Sequence, residues 1–399
     1  MDNALFKIVN FTPGSYITLE GERKPSPNFF IIKEGKVNLK RSFPVANEKS
    51  SEVIGPGDFF GVISAMSQYP QIESAIAMSN VTLISVGQHR FGDLIQKNSP
   101  LAMKIIRFFS KKLRDFDQGQ SNKTIGSKVS GEEDLSLLYE MGENYFTQGN
   151  IDSAVYLFQS YLKYVPKGEF TEKAKAQLKK LGRPLEMQAV NGANRSYMQN
   201  QMIFSENEPG QDLFILQKGK VKITKIIKGT DVLLNIMKPG DIFGEMALLD
   251  NKPRSASAIA MEDADLLAIN KANFESMVQT QPQLMSKIIT VLSERVWNAY
   301  KKIANSMIED MNGRIADMLL TIVEKNRVKI APKAGYDFQL SIFDLLKMLG
   351  LTDRDTNLIM RFMTTNKFIY TEGDNLLCSD LALLDRLVHY HKEGKQRRT

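Results

Sequence analysis

The sequence predicts an α+β multidomain chain: two β-roll or jelly-roll units of one design, an α-helical hairpin between them, a long connecting helix and a small mixed module at the end. Three observations predict this. First, the chain repeats itself: FFIIKEGKV at 29–37 answers LFILQKGKV at 213–221, GPGDFFG at 55–61 answers KPGDIFG at 238–244, and SAIA stands at both 74–77 and 257–260. The offsets are 184, 183 and 183 residues, and matches in one order at nearly constant spacing mark a duplication. Second, each copy alternates apolar runs with turn signals every eight to twelve residues, the rhythm of a sandwich or small barrel. Third, the residues between and after the copies change to a three-to-four-residue apolar period, which is helical.

The elements follow in order. Residues 1–120 form the first unit and 190–281 the second; Lys-Gly-Lys at 218–220 and Pro-Gly-Asp at 239–241 supply the glycines that tight turns require. Each unit ends in a helix, over 90–116 and 282–310, the second with Leu284, Ile288, Leu292, Val296 and Ile303 on one seam. That seam marks 282–312 as a connecting and dimerisation helix, expected to make a homodimer or to pair within the chain. The insert spans 132–182. From Leu135, residues Leu138, Gly142, Tyr145, Ala154, Phe158, Tyr161 and Pro166 fall at positions 4, 8, 11, 20, 24, 27 and 32 of a 34-residue helix–turn–helix, which resembles a single tetratricopeptide repeat. Gly149-Asn150 marks its turn, and Phe170–Leu181 is a third amphipathic segment that covers the apolar face. The insert is either a packing spacer or a docking surface for a protein partner.

Composition narrows the function. The 399 residues are 43% apolar and 24% charged, ordinary globular usage that excludes a disordered or collagen-like chain. No run reaches the ~18–20 apolar residues of a membrane span, and Met1–Asn10 lacks a small-residue cleavage site, so a soluble, cytoplasmic protein without a membrane partner is expected. The single cysteine, Cys378, excludes an internal disulfide framework. Net charge is +7, divided as about +6 over 1–130, −2 over 131–312 and +3 over 313–399; without the tail from Lys392 the last segment falls to zero. A nucleic-acid footprint in that segment is therefore weak.

The most informative stretch is Phe243-Gly244-Glu245-Met246-Ala247-Leu248-Leu249-Asp250-Asn251-Lys252-Pro253-Arg254-Ser255-Ala256-Ser257-Ala258. It closely resembles the phosphate-binding cassette of the cyclic-nucleotide-binding domain, shared by catabolite-activator-type (Crp/Fnr) regulators and kinase regulatory subunits. The resemblance extends over about 190–310 and implies a cyclic nucleotide, cAMP in preference to cGMP, held inside the roll. Such a ligand offers a singly charged phosphodiester, a ribose 2′-hydroxyl and a flat purine. Arg254 has the forked donors a phosphate needs, and Gly244–Leu249 reads as a helix turn with free N–H groups toward an anion. By resemblance Glu245 takes the ribose, Arg254, Ser255 and Ala256 the phosphate, and Gly244, Met246 and Ala247 line the approach. Without a ligand, Glu245 and Arg254 would pair with each other on the surface.

The first copy departs from the pattern. Val62 stands opposite Glu245 and Gln71 opposite Arg254, so neither the hydroxyl acceptor nor the cation is present, and Glu73 would repel a phosphate. Residues 1–120 read as a degenerate copy serving as scaffold, or as a site for an uncharged ligand. In catabolite-activator relatives a Thr-Ser pair on the long helix reaches the purine; matching back from Gly313-Arg314-Ile315-Ala316 puts Ala299 and Tyr300 there. Tyr300 or Trp297 would stack on the purine, or sit in a helix interface.

Residues 313–399 resemble the regulator branch of the same family. Ser341–Leu349 and Asp353–Thr364 read as two helices around Gly350-Leu351-Thr352, and Phe368–Cys378 with Glu372-Gly373-Asp374-Asn375 as a wing, together a winged helix-turn-helix. Its implied DNA-binding residues are Arg354, Thr356, Asn357 and Arg361. Asp353 and Asp355 favour a helix start but repel phosphate, and the further arginine that relatives place one turn on falls at Ile359.

No Gly-Lys pair is followed by Ser or Thr, so there is no phosphate loop; His89, His389 and His391 lack partners at metal spacing; and no nucleophile has a base. No enzyme activity and no metal are expected. The reading is a cAMP-responsive transcriptional regulator whose second copy controls a DNA-binding module, with double-stranded DNA as partner. The alternative is a cyclic-nucleotide receptor acting through protein contacts alone.

Overall fold

Alternating inward and outward residues build two rolls with one strand order. The structure is a computed structural model and describes residues 6–22, 27–43, 50–122, 134–187, 192–227, 229–250 and 252–393; the basic tail from Lys392 onward falls almost wholly outside the described side chains. The first roll has strands β1 (Lys7–Phe11), β2 (Tyr16–Thr18), β3 (Asn28–Glu34), β4 (Val37–Lys40), β5 (Ser51–Ile54) and β6 (Phe59–Phe60), helix α1 (Val62–Ser67), then β7 (Ser74–Ala77) and β8 (Val81–Gly87). They form two antiparallel four-stranded sheets, β1-β8-β3-β6 and β2-β7-β4-β5.

Helices α2 (Phe91–Lys97) and α3 (Ser99–Asn122) follow, then α4 (Ser136–Thr147), α5 (Ile151–Tyr164) and α6 (Thr171–Lys180). The single helix expected over 90–116 is broken at Asn98, whose φ is −143°. Pro100 fits the break, since it has no N–H for a continuing helix and is tolerated in the first turn of a new one.

The second roll repeats the first: β9 (Asn194–Tyr197), β10 (Met202–Phe204), β11 (Asp212–Lys218), β12 (Val221–Ile227), β13 (Thr230–Met237), β14 (Ile242–Phe243), helix α7 (Glu245–Asp250), β15 (Ser257–Ala260) and β16 (Ala264–Asn270). Its sheets run β9-β16-β11-β14 and β10-β15-β12-β13, strand for strand the order of the first. Even the irregularities recur: β3 slips against β8 between Ile32 and Glu34, and β11 slips against β16 between Leu216 and Lys218. Gly35 and Gly219, at φ 91° and 85°, close the same turn in each copy. A Cβ at either would run into a backbone carbonyl, of Asn80 or of Asp263, so only glycine fits.

Last come α8 (Lys271–Thr280), α9 (Pro282–Ser306), α10 (Met311–Lys325), β17 (Tyr336–Asp337), α11 (Ile342–Met348), α12 (Thr356–Thr365), β18 (Ile369–Glu372), β19 (Asn375–Cys378) and α13 (Leu381–Glu393). The long helix stops at Ser306, short of the expected 310, because Asp310 caps the next helix by accepting from the Gly313 N–H at 2.8 Å.

These elements divide into two units, residues 1–89 with 293–399, and residues 90–292. The helices are thus exchanged. The α2–α3 pair follows the first roll in sequence yet belongs to the unit of the second, and the later part of α9 follows the second roll yet belongs to the unit of the first.

In the unit of residues 90–292, Phe204, Phe214 and Phe243 stack at the centre of the roll with centroids 5.5–5.9 Å apart. The helical insert shares a core with this roll: Leu138, Leu157, Phe158 and Tyr161 pack in one cluster with Met202 and Ile259. Gly142 has no side chain because the Phe158 ring occupies the place of its Cβ, at 2.7 Å. At the far end, Asn144 and Gln148 donate to the Gly229 carbonyl at 3.1 and 2.8 Å, gripping the β12–β13 turn.

In the other unit, Lys301 of α9 meets Asp317 at 3.7 Å and Glu324 at 3.0 Å on α10. Beyond α10 a three-stranded sheet, β17-β19-β18, and helices α11 to α13 enclose a core of Leu319, Leu346, Ile359, Phe362, Leu376 and Leu384. A capping box of Ser341 and Asp344 starts α11, and one of Thr352 and Asp355 starts the 3₁₀ turn before α12.

Candidate functional site

Strand β14 ends at Gly244, whose φ of 76° turns the chain sharply into α7. Glu245 opens that helix and is only 1% exposed. The following loop returns along residues 205–210 and delivers Arg254, 6% exposed, to the same place. Two backbone bonds lock it there: Arg254 N–H donates to the Glu208 carbonyl and Asn207 N–H donates to the Arg254 carbonyl, both at 2.9 Å.

The guanidinium is enclosed. Its Nη1 donates to the Gly244 carbonyl at 2.6 Å, and its carbon lies 4.2 Å from the centroid of the Phe204 ring. Two missing side chains make room: a Cβ on Gly244 would stand 2.7 Å from Nη1, and a Cβ on Gly210 would stand 2.6 Å from Nε and 2.5 Å from the Cβ of Ala247. Nε itself is buried without a hydrogen-bond partner. Burial draws the pKa of Arg254 down, against the opposing effects of Glu208, Tyr156, Asp212 and Glu245 in that order. An arginine stays charged even so, and the result is a desolvated cation with donor capacity to spare. The surface pairing of Glu245 with Arg254 does not describe this geometry, since both residues are buried and Glu245 is the last of those influences.

The other named residues lie along the same turn. Met246 and Ala247 are buried on α7, Ala256 is buried beyond the arginine, and the Ser255 hydroxyl faces the Met246 sulfur at 3.7 Å. Glu208, which the sequence reading passed over, lies 6% exposed beside Arg254. Its carboxylate accepts from Ser205 N–H at 2.9 Å and from the Tyr156 and Tyr164 hydroxyls of α5 at 2.8 and 3.3 Å. Burial pushes its pKa up, with Ser205, Tyr156 and Arg254 opposing.

Helix α3 also reaches the cassette. The Ser110 hydroxyl donates to the Met246 carbonyl at 3.4 Å and Arg114 donates to the Pro253 carbonyl at 3.1 Å. Of the long helix expected over 282–310, residues up to Leu292 belong to this unit and the rest to the unit of the first roll.

Tyr300 requires a correction. Of the two readings, purine stacking in the second copy or a place in a helix interface, its position agrees with the second: it lies in the unit of the first roll, 3% exposed, with its hydroxyl donating to Glu20 at 3.0 Å. Trp297 does likewise: its Nε1 donates to the Pro70 carbonyl at 3.0 Å and its ring lies 4.6 Å from that of Tyr69. Trp297 thus packs on the end of the segment 62–71 that matches the cassette. Val62 and Gln71 of that segment are buried, and Glu73 is neutralised by Arg41 at 2.9 Å.

On the C-terminal module, Arg354, Asn357 and Arg361 are exposed and Thr356 half-buried. Arg354 sits in the 3₁₀ turn just before α12, and the Thr356 hydroxyl donates to the Asp353 carbonyl at 2.6 Å. Ile359, at the position where relatives carry a further arginine, is a fully buried core residue. His389 and His391 lie within 3.1 and 3.0 Å of Asp385 and Asp310. Among the described residues no cluster of His, Cys, Asp and Glu is placed to hold a metal, and no helix is long and apolar enough to cross a membrane.

The chain is similar in sequence to known proteins. The family model "cyclic nucleotide-binding domain" matches twice, over residues 8–98 and 194–281. The cyclic AMP receptor protein of Thermus thermophilus is 31% identical over 195 residues, which span 49% of this chain and 87% of that protein. The CRP-like cAMP-activated global transcriptional regulator of Mycobacterium tuberculosis is 27% identical over 185 residues, 46% of this chain and 83% of that one. The solved Thermus thermophilus catabolite activator protein matches at 24% identity, covering 49% of this chain and 89% of its own, with a TM-score of 0.29. Carrying the cyclic nucleotide-binding domain in two copies, the chain belongs to the Crp/Fnr family of catabolite-activator-type proteins.

Proposed function

We propose that the chain is a cAMP-responsive transcriptional regulator in which the second roll takes the ligand and the C-terminal module, a winged helix-turn-helix, takes double-stranded DNA. The observation that carries this is Arg254: a buried guanidinium with an unpartnered Nε, held by backbone on both sides. Such a group costs free energy to bury and recovers it when an anion arrives. The phosphodiester takes the guanidinium from the Gly244 carbonyl, with Ser255 and the Ala256 N–H alongside; Glu245 accepts from the ribose 2′-hydroxyl; Gly244, Met246 and Ala247 form the close wall. The named activities of the relatives favour cAMP over cGMP.

Transmission runs through α3, whose Ser110 and Arg114 hold the two ends of the cassette at Met246 and Pro253. Ligand favours one arrangement of α3 by no more than its differential affinity for the two. Arg354, Thr356, Asn357 and Arg361 then meet bases and phosphates, two chains binding as a homodimer. The first roll, with Trp297 packed on Tyr69 and Pro70 of its cassette segment, is a scaffold without ligand. No catalytic step enters this scheme.

Calorimetry with cAMP and cGMP tests the ligand. One site per chain, tighter for cAMP, and a loss of at least tenfold in Arg254→Ala are expected; no binding to the wild type, or two sites per chain, overturns the assignment. A gel-shift selection with and without cAMP tests the output. Ligand binding without ligand-dependent DNA retention would leave a receptor that acts through protein contacts.

A further inference from the structure

The helical insert is not a free surface. Its inner face shares a core with the second roll, and two of its tyrosines close on a carboxylate beside the arginine of the cassette. Tyr156 and Tyr164, two turns apart on α5, each present a hydroxyl to one oxygen of Glu208, at 2.8 and 3.3 Å; Ser205 N–H adds a third donor at 2.9 Å. Both carboxylate oxygens thereby have a donor, Oε2 two of them. Across the bridge of backbone bonds between 207–208 and 254, the guanidinium keeps its Nε without a partner.

A buried carboxylate next to a buried guanidinium has an obvious alternative, which is to turn and pair with it. A paired arginine would no longer be available to an incoming phosphate. We propose that the insert is a brace for the ligand site: Tyr156 and Tyr164 hold Glu208 away from Arg254 and so keep the guanidinium open for an anionic ligand. These tyrosines are positioning residues that lie outside the roll, and the insert sets ligand affinity without touching the ligand. The inference rests on the cyclic-nucleotide reading of the second roll.

Three full-length proteins test it: wild type, Tyr156→Phe/Tyr164→Phe, and the same pair with Glu208→Gln. Phenylalanine keeps the packing and removes only the hydroxyls. Removing them weakens cAMP binding about tenfold, and the added Glu208→Gln returns affinity to within about threefold of wild type, because an amide cannot form the competing ion pair. A loss through damaged packing would not be rescued in this way. Unchanged affinity in the double variant, or a triple variant as weak as the double, overturns the brace. The same proteins are melted without ligand, where loss of the hydroxyls lowers Tm and Glu208→Gln restores it. If the wild type binds no cyclic nucleotide, the ligand assignment falls, and the melting pattern alone decides whether the tyrosines stabilise the charge of Glu208.

Discussion

Trp297 is hydrogen-bonded to Pro70, its Nε1 donating to the carbonyl at 3.0 Å while the ring lies fully buried against Tyr69. In the second roll the residue matching Pro70 is Pro253, and there the carbonyl is met by Arg114 of α3. One place in the two copies is thus filled by an aromatic ring in the first and by a cation in the second.

Trp297→Ala should therefore cost the unit of the first roll about 3–5 kcal/mol, the usual penalty for emptying a buried indole. Urea denaturation measures it. Calorimetry on the same variant should still give one cAMP site, since the ring serves the copy without a ligand.

Gly210→Ala should weaken ligand binding at least tenfold while leaving the roll folded. The added methyl would press on Nε of Arg254 and on the Cβ of Ala247, and the arginine is the more movable of the two. Binding isotherms and a melting curve separate the two effects; a variant that binds normally shows that the guanidinium need not hold this position.

Cys378 is buried on β19, and burial pushes its thiol up from 9.0 to about 11, with the Asp380 charge adding to the rise and a backbone hydrogen bond at Asp380 opposing it. Folding therefore favours the protonated thiol. Its contribution is complete below pH 9 and is lost as pH rises from there through about 11, where the unfolded chain has already released its proton. Cys378→Ala should flatten the fall in Tm over that window, and iodoacetamide should leave the native thiol unmodified at pH 8.

Arg361→Ala should lower DNA affinity and reduce the slope of log K against log salt by about 1, the signature of one lost phosphate contact. Ile359→Arg should not add such a contact. Its side chain is fully buried in the module core, so a charge there unfolds the module, as the loss of its helical circular dichroism would reveal.

Much of this molecule is legible along the chain because its determinants are local. The turn glycines at 35, 219 and 244 follow from backbone geometry, the strand order of the second roll follows from its likeness to the first, and Gly142 announces a close helix approach that Phe158 then fills. The cassette residues Glu245 and Arg254 are close in sequence and meet through one short helix and a loop. Glu208, Tyr156, Ser110 and Arg114 were not legible as site residues. Each lies 46 to 139 residues from the residue it serves, and nothing in a lone Tyr or Ser marks it as a donor to a distant carbonyl or carboxylate.

By itself the sequence determined the duplication, the two rolls, the helical insert, and which copy retains the charged pair suited to a cyclic phosphodiester, since these depend on periodicity, turn chemistry and residue type. Only the tertiary structure decided which helix lies on which cassette, that Tyr300 belongs to the first roll, and that the insert closes on Glu208. Helices of similar apolar pattern can dock on either roll, and the choice between them is made by complementary packing over long separations, which no local pattern encodes.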